Sequence, residues 1–148
     1  MPTYNVAPYV KEAIGSVLRQ TYADFELLVI DDHSTDTTIK VVQGIDDPRI
    51  RLVQNENNLG LADNLNRGLS LVTTEYVARM DGDDIAEPYW LEHELTVLEK
   101  HPEIGVCSGG FERFGTMKSL VRFPESHDDF MANMLFECSV IVPVFRMS

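Results

Sequence analysis

Three carboxylates lie within four consecutive residues, at Asp81, Asp83 and Asp84, directly after the apolar run 76–78. Clustered carboxylates repel one another, so a fold that holds them at the end of a strand usually needs a cation there. Oxygen ligands suit hard ions such as Mg²⁺ and Mn²⁺, which proteins bind through one or two carboxylates together with substrate phosphates. The spacing therefore predicts a site for a metal and a diphosphate. The alternative is an acidic turn on the surface.

Two further polar clusters occupy equivalent positions relative to predicted strands. Asp31 and Asp32 follow the apolar run 25–30, which is typical of a buried parallel strand, and residues 3–5 read as the loop after a first strand. In a parallel sheet the carboxyl ends of the strands meet at one edge, where ligands bind. We therefore expect these two clusters to lie beside the acidic turn.

Apolar spacing predicts the elements that position these residues. Strands are predicted over 25–30, 50–53, 76–80, 104–108 and 139–146. Helices are predicted over 10–18, from an N-cap at Ser34 or Thr35 to Gly44, over 61–69, from Pro88 to His101, and from Ser126 to Leu135. Alternating strands and helices indicate an α/β fold, with a mostly parallel sheet flanked by helices.

Composition limits the classes of partner. The 148 residues fit one domain, and 44% hydrophobic with 24% charged residues is ordinary for a soluble globular protein. A net charge of -12 argues against nucleic acid and anionic membranes as partners. The sequence has neither a bilayer-spanning apolar run nor a signal-peptide pattern. Cys107 and Cys138 lack metal-ligand spacing, and we expect reduced thiols in a cytoplasmic protein.

Five motifs in a fixed order carry a specific resemblance. They are Pro2-Thr3-Tyr4-Asn5, Gln20-Thr21-Tyr22, Asp31-Asp32-His33-Ser34-Thr35-Asp36, Asn58-Leu59-Gly60-Leu61 and Asp81-Gly82-Asp83-Asp84. Each motif alone is a weak signal, but together they resemble family 2 glycosyltransferases with the GT-A fold. The resemblance runs from residue 1 to about residue 112, and more weakly to Arg146.

The resemblance implies roles for five residues. Thr3 and Tyr4 match the loop that packs against the base and ribose, and Asp32 matches the carboxylate that accepts a hydrogen bond from a uracil N–H. Asp83 matches the main metal ligand, with Asp81 near the ribose and the metal, and the cofactor is expected to be Mn²⁺ or Mg²⁺. Two alternatives stay open: Asp32 only caps the following helix, or Asp83 is solvated and unliganded.

Four other side chains have simpler interpretations. Arg67 and Arg79 are candidates to contact phosphate, but in the simpler interpretation Arg67 snorkels from a helix face and Arg79 pairs with a neighbouring carboxylate. Trp90 is expected to be a core or rim aromatic, with stacking on a sugar as the alternative. His33 is expected to be exposed to solvent. Gly82 is expected to permit a sharp turn within the acidic motif.

Both ends of the chain lead us to expect a fragment. Only Met1 precedes the first loop, and the sequence stops two residues after the strand-like run that reaches Arg146. We expect residues 1–148 to be the donor-binding half of a catalytic domain truncated at both ends. The general base that the family needs is expected beyond Ser148. The carboxylates in the last part of the chain lack the expected context; they are Glu125, Asp128, Asp129 and Glu137.

The resemblance predicts transfer of a sugar from a UDP-sugar to an acceptor hydroxyl with inversion, in the synthesis of bacterial surface polysaccharide or glycolipid. The acceptor is expected to be a carbohydrate or lipid-linked, and the protein to lie at the inner face of the membrane. The main alternative is a non-catalytic nucleotide-sugar-binding module; a nucleotidyltransferase fits less well, since the loop at 2–6 has no Gly-rich or basic character. A shortened central strand leaves backbone groups unpaired, so a second copy of the chain could complete the sheet.

Overall fold

The computed structural model describes residues 1–113, 118–122 and 142–147. Its helices are α1 (Val10–Leu18), α2 (Thr38–Gln43), α3 (Leu61–Ser70) and α4 (Trp90–Lys100). Its strands are β1 (Pro2–Thr3), β2 (Leu27–Asp31), β3 (Ile50–Gln54), β4 (Tyr76–Ala78), β5 (Val106–Cys107), β6 (Phe111–Arg113), β7 (Ser119–Val121) and β8 (Val144–Arg146). Strands and helices alternate as far as β5, so the predicted α/β class is confirmed.

The first three strands form a parallel sheet in the order β1-β2-β3. Pro2 pairs with Ile30 and Thr3 with Asp31, while β2 pairs along its whole length with β3, from Leu27 opposite Ile50 onward. The register ends β1, β2 and β3 at the same edge. The polar residues that follow each strand are therefore brought together, as the sequence predicted.

A second sheet departs from the parallel pattern. β8 lies between β4 and β5 and runs antiparallel to both. The strand predicted over 139–146 is described only from Val144 to Arg146, and residues 139–141 lie outside the described part of the chain. β6 and β7 form an antiparallel hairpin that the sequence analysis did not predict.

The main core lies between α1 and the parallel sheet. Val10, Ile14 and Val17 are buried on α1, as their spacing predicts, and they pack in one cluster with Val29 of β2 and Met80. Burial of side chains of this size stabilises a fold by about 1.5–3 kcal/mol each. This packing fixes the acidic turn after Met80 relative to β2.

A smaller core joins α4 to the second sheet through Leu91, Leu98 and Val144. Glu94 of α4 is buried beside it, and its carboxylate accepts the N–H of Gly109 at 2.9 Å and the N–H of Val144 at 3.0 Å. Burial raises the pKa of Glu94 to about 7, although the two backbone hydrogen bonds oppose that shift.

Two helices differ from expectation. Ser34 and Thr35 do not cap α2, which begins after Thr37; the hydroxyl of Ser34 donates to Asp31 instead. Gly44 ends α2, as predicted. The buried residues of α3 are Asn64 and Gly68 rather than its leucines, which are half-buried or exposed; the leucines are Leu61, Leu65 and Leu69.

The helix predicted from Ser126 to Leu135 lies outside the described residues. In the part of the chain that the structure describes, no helix is both long and apolar enough to cross a bilayer.

Candidate functional site

A cleft of about 300 Å³ opens at the carboxyl ends of β1 and β2 and against the acidic turn. All five residues that the sequence analysis selected line this cleft: Thr3, Tyr4, Asp32, Asp81 and Asp83. The start of α3 closes another side of the cleft. The remaining lining residues are Pro2, Val6, Asn58, Gly60, Leu61, Asn64 and Gly82.

Asp32 is held by three donors at the base of the cleft. Its Oδ1 accepts the side-chain N–H of Asn55 at 2.7 Å and the N–H of Leu59 at 2.9 Å, and its Oδ2 accepts the N–H of Gly60 at 2.8 Å. Burial alone would raise the pKa of Asp32, but these hydrogen bonds outweigh it and lower the pKa below its ordinary value. Asp32 is therefore an anion, and Oδ2 keeps acceptor capacity for a further donor.

A buried amide network behind Asp32 was missed by the sequence analysis. Asn55 donates to Asp32 and also to Oδ1 of Asn64 at 3.0 Å, and Asn64 donates to the carbonyl of Ile30 at 3.1 Å. Arg67 donates to Oδ1 of Asn55, so its predicted snorkelling role was wrong. Asn55 is the first residue after β3, and its place at the carboxyl edge of a strand was the signal available in the sequence.

The loop after β1 is tied to the loop after β2 by Asn5. Its side-chain carbonyl accepts the N–H of Thr35 at 2.8 Å and the N–H of Asp36 at 3.2 Å, and its own N–H donates to the Ser34 hydroxyl at 2.9 Å. Asn5 adopts a φ of 53°, in the left-handed region that asparagine tolerates better than most residues. The neighbouring Tyr4 side chain is 49% exposed at the mouth of the cleft.

Asp31 and Thr3 brace the same loops from inside. Asp31 is fully buried and accepts the Thr3 hydroxyl at 3.1 Å and the N–H of Ser34 at 2.8 Å. The Thr3 hydroxyl is thereby directed at Asp31. Thr3 lines the cleft, and Asp31 holds the loops after β1 and β2 together.

Glycine is required at position 82 because the acidic turn passes very close to β1. A Cβ on Gly82 would lie 2.8 Å from Cγ2 of Thr3 and 3.2 Å from the carbonyl oxygen of Pro2. Its φ is not among the positive values in the described chain, so the expected sharp turn is not the reason for glycine here. The missing side chain lets the acidic turn pack directly against β1.

The acidic turn contains one paired and one exposed carboxylate at the cleft. Nη2 of Arg79 contacts both oxygens of Asp81, at 2.9 and 2.8 Å, as the sequence analysis expected for Arg79. Asp83 is exposed. Asp84 is half-buried, and its pKa is raised, first by burial and then by the negative charges of Asp81 and Asp83.

The residues present fit a divalent cation. Asp81 and Asp83 supply carboxylate oxygens on the same turn, and a cation bound there would offset the repulsion between these two charges and Asp84. Within the described residues, no group of three or more His, Cys, Asp or Glu side chains could hold a metal ion on its own. Two carboxylates supplemented by phosphate and water oxygens is the usual arrangement for Mg²⁺.

Two aromatic side chains near the site, Trp90 and His33, do not line the cleft. Trp90 is half-buried, packs against both cores and donates from Nε1 to the carbonyl of Val142 at 3.1 Å, which confirms it as a core or rim residue. His33 is exposed, as predicted, with a φ of 63°.

Comparison with known proteins identifies the family. The model of the family described as glycosyl transferase family 2 matches residues 1–145. An uncharacterized glycosyltransferase of Haemophilus influenzae is 45% identical over 103 residues, covering 68% of this chain and 32% of the relative. The Escherichia coli UDP-Glc:alpha-D-GlcNAc-diphosphoundecaprenol beta-1,3-glucosyltransferase WfgD is 38% identical over 112 residues, covering 76% and 44%.

A solved structure supports the same assignment. The mannosyltransferase PcManGT from Pyrobaculum calidifontis, in complex with GDP-Man and Mn²⁺, superposes with a TM-score of 0.69 at 30% identity, covering 76% of this chain and 34% of that one. The expected GT-A fold is confirmed. The chain spans 32% to 44% of the length of the two curated relatives named above. With a family model that matches nearly all of its residues, the chain belongs to glycosyl transferase family 2.

Proposed function

We propose that residues 1–148 form the donor-binding half of an inverting glycosyltransferase that uses a UDP-sugar. The observation that carries the proposal is the convergence of Asp32 and the acidic turn on one cleft. A nucleoside diphosphate needs a group that recognises the base at one end and a group that neutralises the phosphates at the other. Asp32 supplies the first, and Asp81 with Asp83 supplies the second.

Recognition of the base rests on the free acceptor capacity of Asp32. A carboxylate fixed by three donors in a buried position makes a strong charge-assisted bond to a further N–H. The imide N–H of uracil is such a donor. Tyr4, exposed at the mouth of the cleft, is placed to cover the base and ribose, and Thr3 forms the adjoining wall. UDP as the donor nucleotide is supported by the UDP-Glc named for the E. coli relative.

The diphosphate end of the donor would lie against the acidic turn. Asp83 would ligate Mn²⁺ or Mg²⁺ with Asp81 beside it, and the ion would neutralise charge on the leaving diphosphate. Arg79 holds Asp81 in place through two contacts with its carboxylate, which limits the directions in which Asp81 can turn. Gly82 keeps both carboxylates close to the loop that contacts the nucleoside.

The remaining parts of the reaction belong to the whole protein. We propose a carbohydrate or lipid-linked acceptor, in agreement with the diphosphoundecaprenol-linked acceptor in the name of the E. coli relative. Synthesis of a bacterial surface polysaccharide or glycolipid, at the cytoplasmic face of the membrane, follows from that acceptor. The general base that deprotonates the acceptor hydroxyl is proposed to lie beyond Ser148.

Calorimetric titration of UDP, with and without Mn²⁺, tests the donor site. We expect binding that requires Mn²⁺ and weakens at least about tenfold in Asp83→Asn, because one ligand to the ion is lost. Asp83 is exposed, so this substitution should leave folding intact. Asp46→Asn is the matched control, since it removes the same charge from an exposed loop residue that does not line the cleft.

Equal UDP affinity in Asp83→Asn and Asp46→Asn would contradict the role of Asp83. Absence of UDP binding with the fold intact, as checked by circular dichroism, would contradict the donor site as a whole. The alternative function, a non-catalytic binding module, predicts Mn²⁺-dependent binding of a UDP-sugar by the whole protein without any release of UDP. A coupled assay for UDP distinguishes that alternative from transfer.

A further inference from the structure

Arg67 of α3 is a half-buried cation whose partner is an amide rather than a carboxylate. Its guanidinium donates to Oδ1 of Asn55, and among the residues that the structure describes it forms no ion pair. An arginine without a carboxylate partner is unexpected in a chain whose net charge is -12. Arg67 does not line the cleft, so its contact with Asn55 is its link to the donor site.

This contact fixes the orientation of the Asn55 amide. A guanidinium can only donate hydrogen bonds, so the oxygen of the amide must face Arg67 and its NH₂ group must face the other way. The NH₂ group then donates to Oδ1 of Asp32 at 2.7 Å and to Oδ1 of Asn64 at 3.0 Å. Asn64 is fixed from its far side, since its own NH₂ group donates to the carbonyl of Ile30 at 3.1 Å.

Burial makes the reversed orientation unfavourable. Asn55 is 4% exposed and Asn64 is 1% exposed, so an amide turned the other way would lose these hydrogen bonds without replacement by solvent. It would also place the Asn55 oxygen against Oδ1 of Asp32, where two acceptors repel each other. Arg67 therefore determines whether Asp32 is held by a donor or opposed by an acceptor.

The orientation of Asn55 decides how much of Asp32 is left for a ligand. Oδ1 already accepts two hydrogen bonds, from Asn55 and from the N–H of Leu59, whereas Oδ2 accepts only the N–H of Gly60. Since each carboxylate oxygen accepts about two donors, the remaining position is on Oδ2. Uracil presents an N–H at position 3 of its ring, which suits this acceptor. Cytosine presents a lone pair at the same position, which a carboxylate repels.

We propose that Arg67 is a positioning residue for recognition of the base: it orients the Asn55 amide, and through that amide it holds Asp32 so that Oδ2 selects uracil over cytosine. This inference rests on the proposed function, in which Asp32 contacts the base. It gives Arg67 a role at the nucleoside end of the donor, away from the phosphates.

Three variants of the chain test the proposal. Arg67→Lys keeps a group that can only donate, whereas Arg67→Glu places a group that can only accept beside the Asn55 oxygen. Asn66→Glu adds a negative charge at an exposed neighbouring position of α3 and serves as the control for charge. The affinities for UDP and CDP are measured by calorimetry with Mn²⁺. The two nucleotides share the ribose and the diphosphate, so the ratio of their affinities isolates recognition of the base.

We expect the native protein to bind UDP at least about tenfold more tightly than CDP, as one hydrogen bond to a charged group allows. Arg67→Glu should lower that ratio at least about fivefold, while Arg67→Lys and Asn66→Glu should keep it within about twofold of the native value. A purely structural role, or a long-range effect of charge on the diphosphate, would weaken UDP and CDP equally. An unchanged ratio in Arg67→Glu would therefore overturn the proposal.

Exchange of the Asn55 side-chain amide protons, followed by NMR, gives a readout without any nucleotide. We expect exchange at least about tenfold faster in Arg67→Glu than in the native protein and in Arg67→Lys, because the amide loses its bonds to Asp32 and Asn64. Equal exchange in all three proteins would overturn the orienting role of Arg67. A native protein that binds neither nucleotide would instead overturn the proposed function, and with it the role of Arg67 in base recognition.

Discussion

The close contact between Gly68 of α3 and Ile30 of β2 predicts that Gly68→Ala destabilises the native protein but stabilises the Ile30→Val variant. A Cβ on Gly68 would lie 2.3 Å from Cδ1 of Ile30, whereas Cγ1 of the same side chain would be 3.8 Å away. Ile30 is only 3% exposed, and it lies with Gly68 on the wall of a cavity of about 660 Å³. Gly68→Ala should therefore displace a single atom of Ile30, and Ile30→Val removes that atom.

Two opposing free-energy terms decide whether Gly68→Ala stabilises or destabilises the protein. Replacing a helical glycine by alanine gains about 1 kcal/mol of helix propensity, and forcing an extra methyl into a packed core costs about 1–3 kcal/mol. We expect Gly68→Ala alone to destabilise the protein by about 1 kcal/mol. In an Ile30→Val background the clash is absent, so the same change should stabilise by about 0.5–1 kcal/mol, which gives a coupling of about 2 kcal/mol.

Urea denaturation of the four proteins in the cycle measures this coupling. Gly105→Ala is a suitable control, because a Cβ there meets nothing within 4 Å and the change should be close to neutral. A stabilising effect of Gly68→Ala in both backgrounds, or additive free energies, would refute the close contact between α3 and β2. An unchanged m-value is required for the comparison to hold.

Two further predictions concern buried polar groups. Asn64→Leu should destabilise by about 2–4 kcal/mol, because it leaves the Ile30 carbonyl and an Asn55 N–H without their buried partner; exposed Asn66→Leu on the same helix is the denaturation control. Glu94 has a pKa raised from 4.5 to about 7, so the folded state binds its proton more tightly than the unfolded state. The stability advantage of the native protein over Glu94→Gln should fall by up to about 3 kcal/mol as the pH rises from 4.5 to 7, measured by denaturation across that range; a constant difference would contradict the shift.

Local patterns were sufficient for most of the fold. The spacing of Val10, Ile14 and Val17 predicts the buried face of α1, and the apolar run before Asp31 predicts β2. The same reasoning was wrong for α3, whose leucines recur at helical spacing but are half-buried or exposed. Periodicity identifies a helix and its apolar row, but it cannot show what that row faces, since the cavity of about 660 Å³ that Leu65 and Leu69 line is a feature of the tertiary structure.

The antiparallel direction of β8 was beyond local patterns for a related reason. β8 pairs with β4 and β5, and Tyr76 of β4 pairs with Arg146, 70 positions away along the chain. Pairing at such separation depends on closing long loops and on the shape of the core already formed. The sequence indicates that a strand is present, but its neighbours and its direction are tertiary properties.

The ordered set of motifs was sufficient to select the residues that line the cleft, but the groups that hold those residues in place were identified only from the structure. Asp32 was selected from the sequence, but Asn55, which donates to it, was not. An asparagine has many roles in loops, and nothing in its immediate neighbours indicates a buried amide network. The contact becomes visible only when β2, β3 and α3 are assembled around the same edge.

The adjacent carboxylates of Asp31 and Asp32 differ in their surroundings, and the geometry of the strand before them explains the difference. Successive side chains of a strand point to opposite faces, so two neighbouring aspartates at its end enter different environments. Asp31 accepts hydrogen bonds from the Thr3 hydroxyl and the Ser34 N–H inside the fold, and these bonds hold two loops together. Asp32 accepts hydrogen bonds from the N–H groups of Leu59 and Gly60, which lie 27 and 28 positions away in the sequence. These bonds fix the Asp32 carboxylate at the cleft, and its Oδ2 can still accept a hydrogen bond from a ligand. The proposed specificity for an imide N–H thus depends on a loop that is distant in sequence, and changes in that loop should alter base recognition even where Asp32 itself is kept.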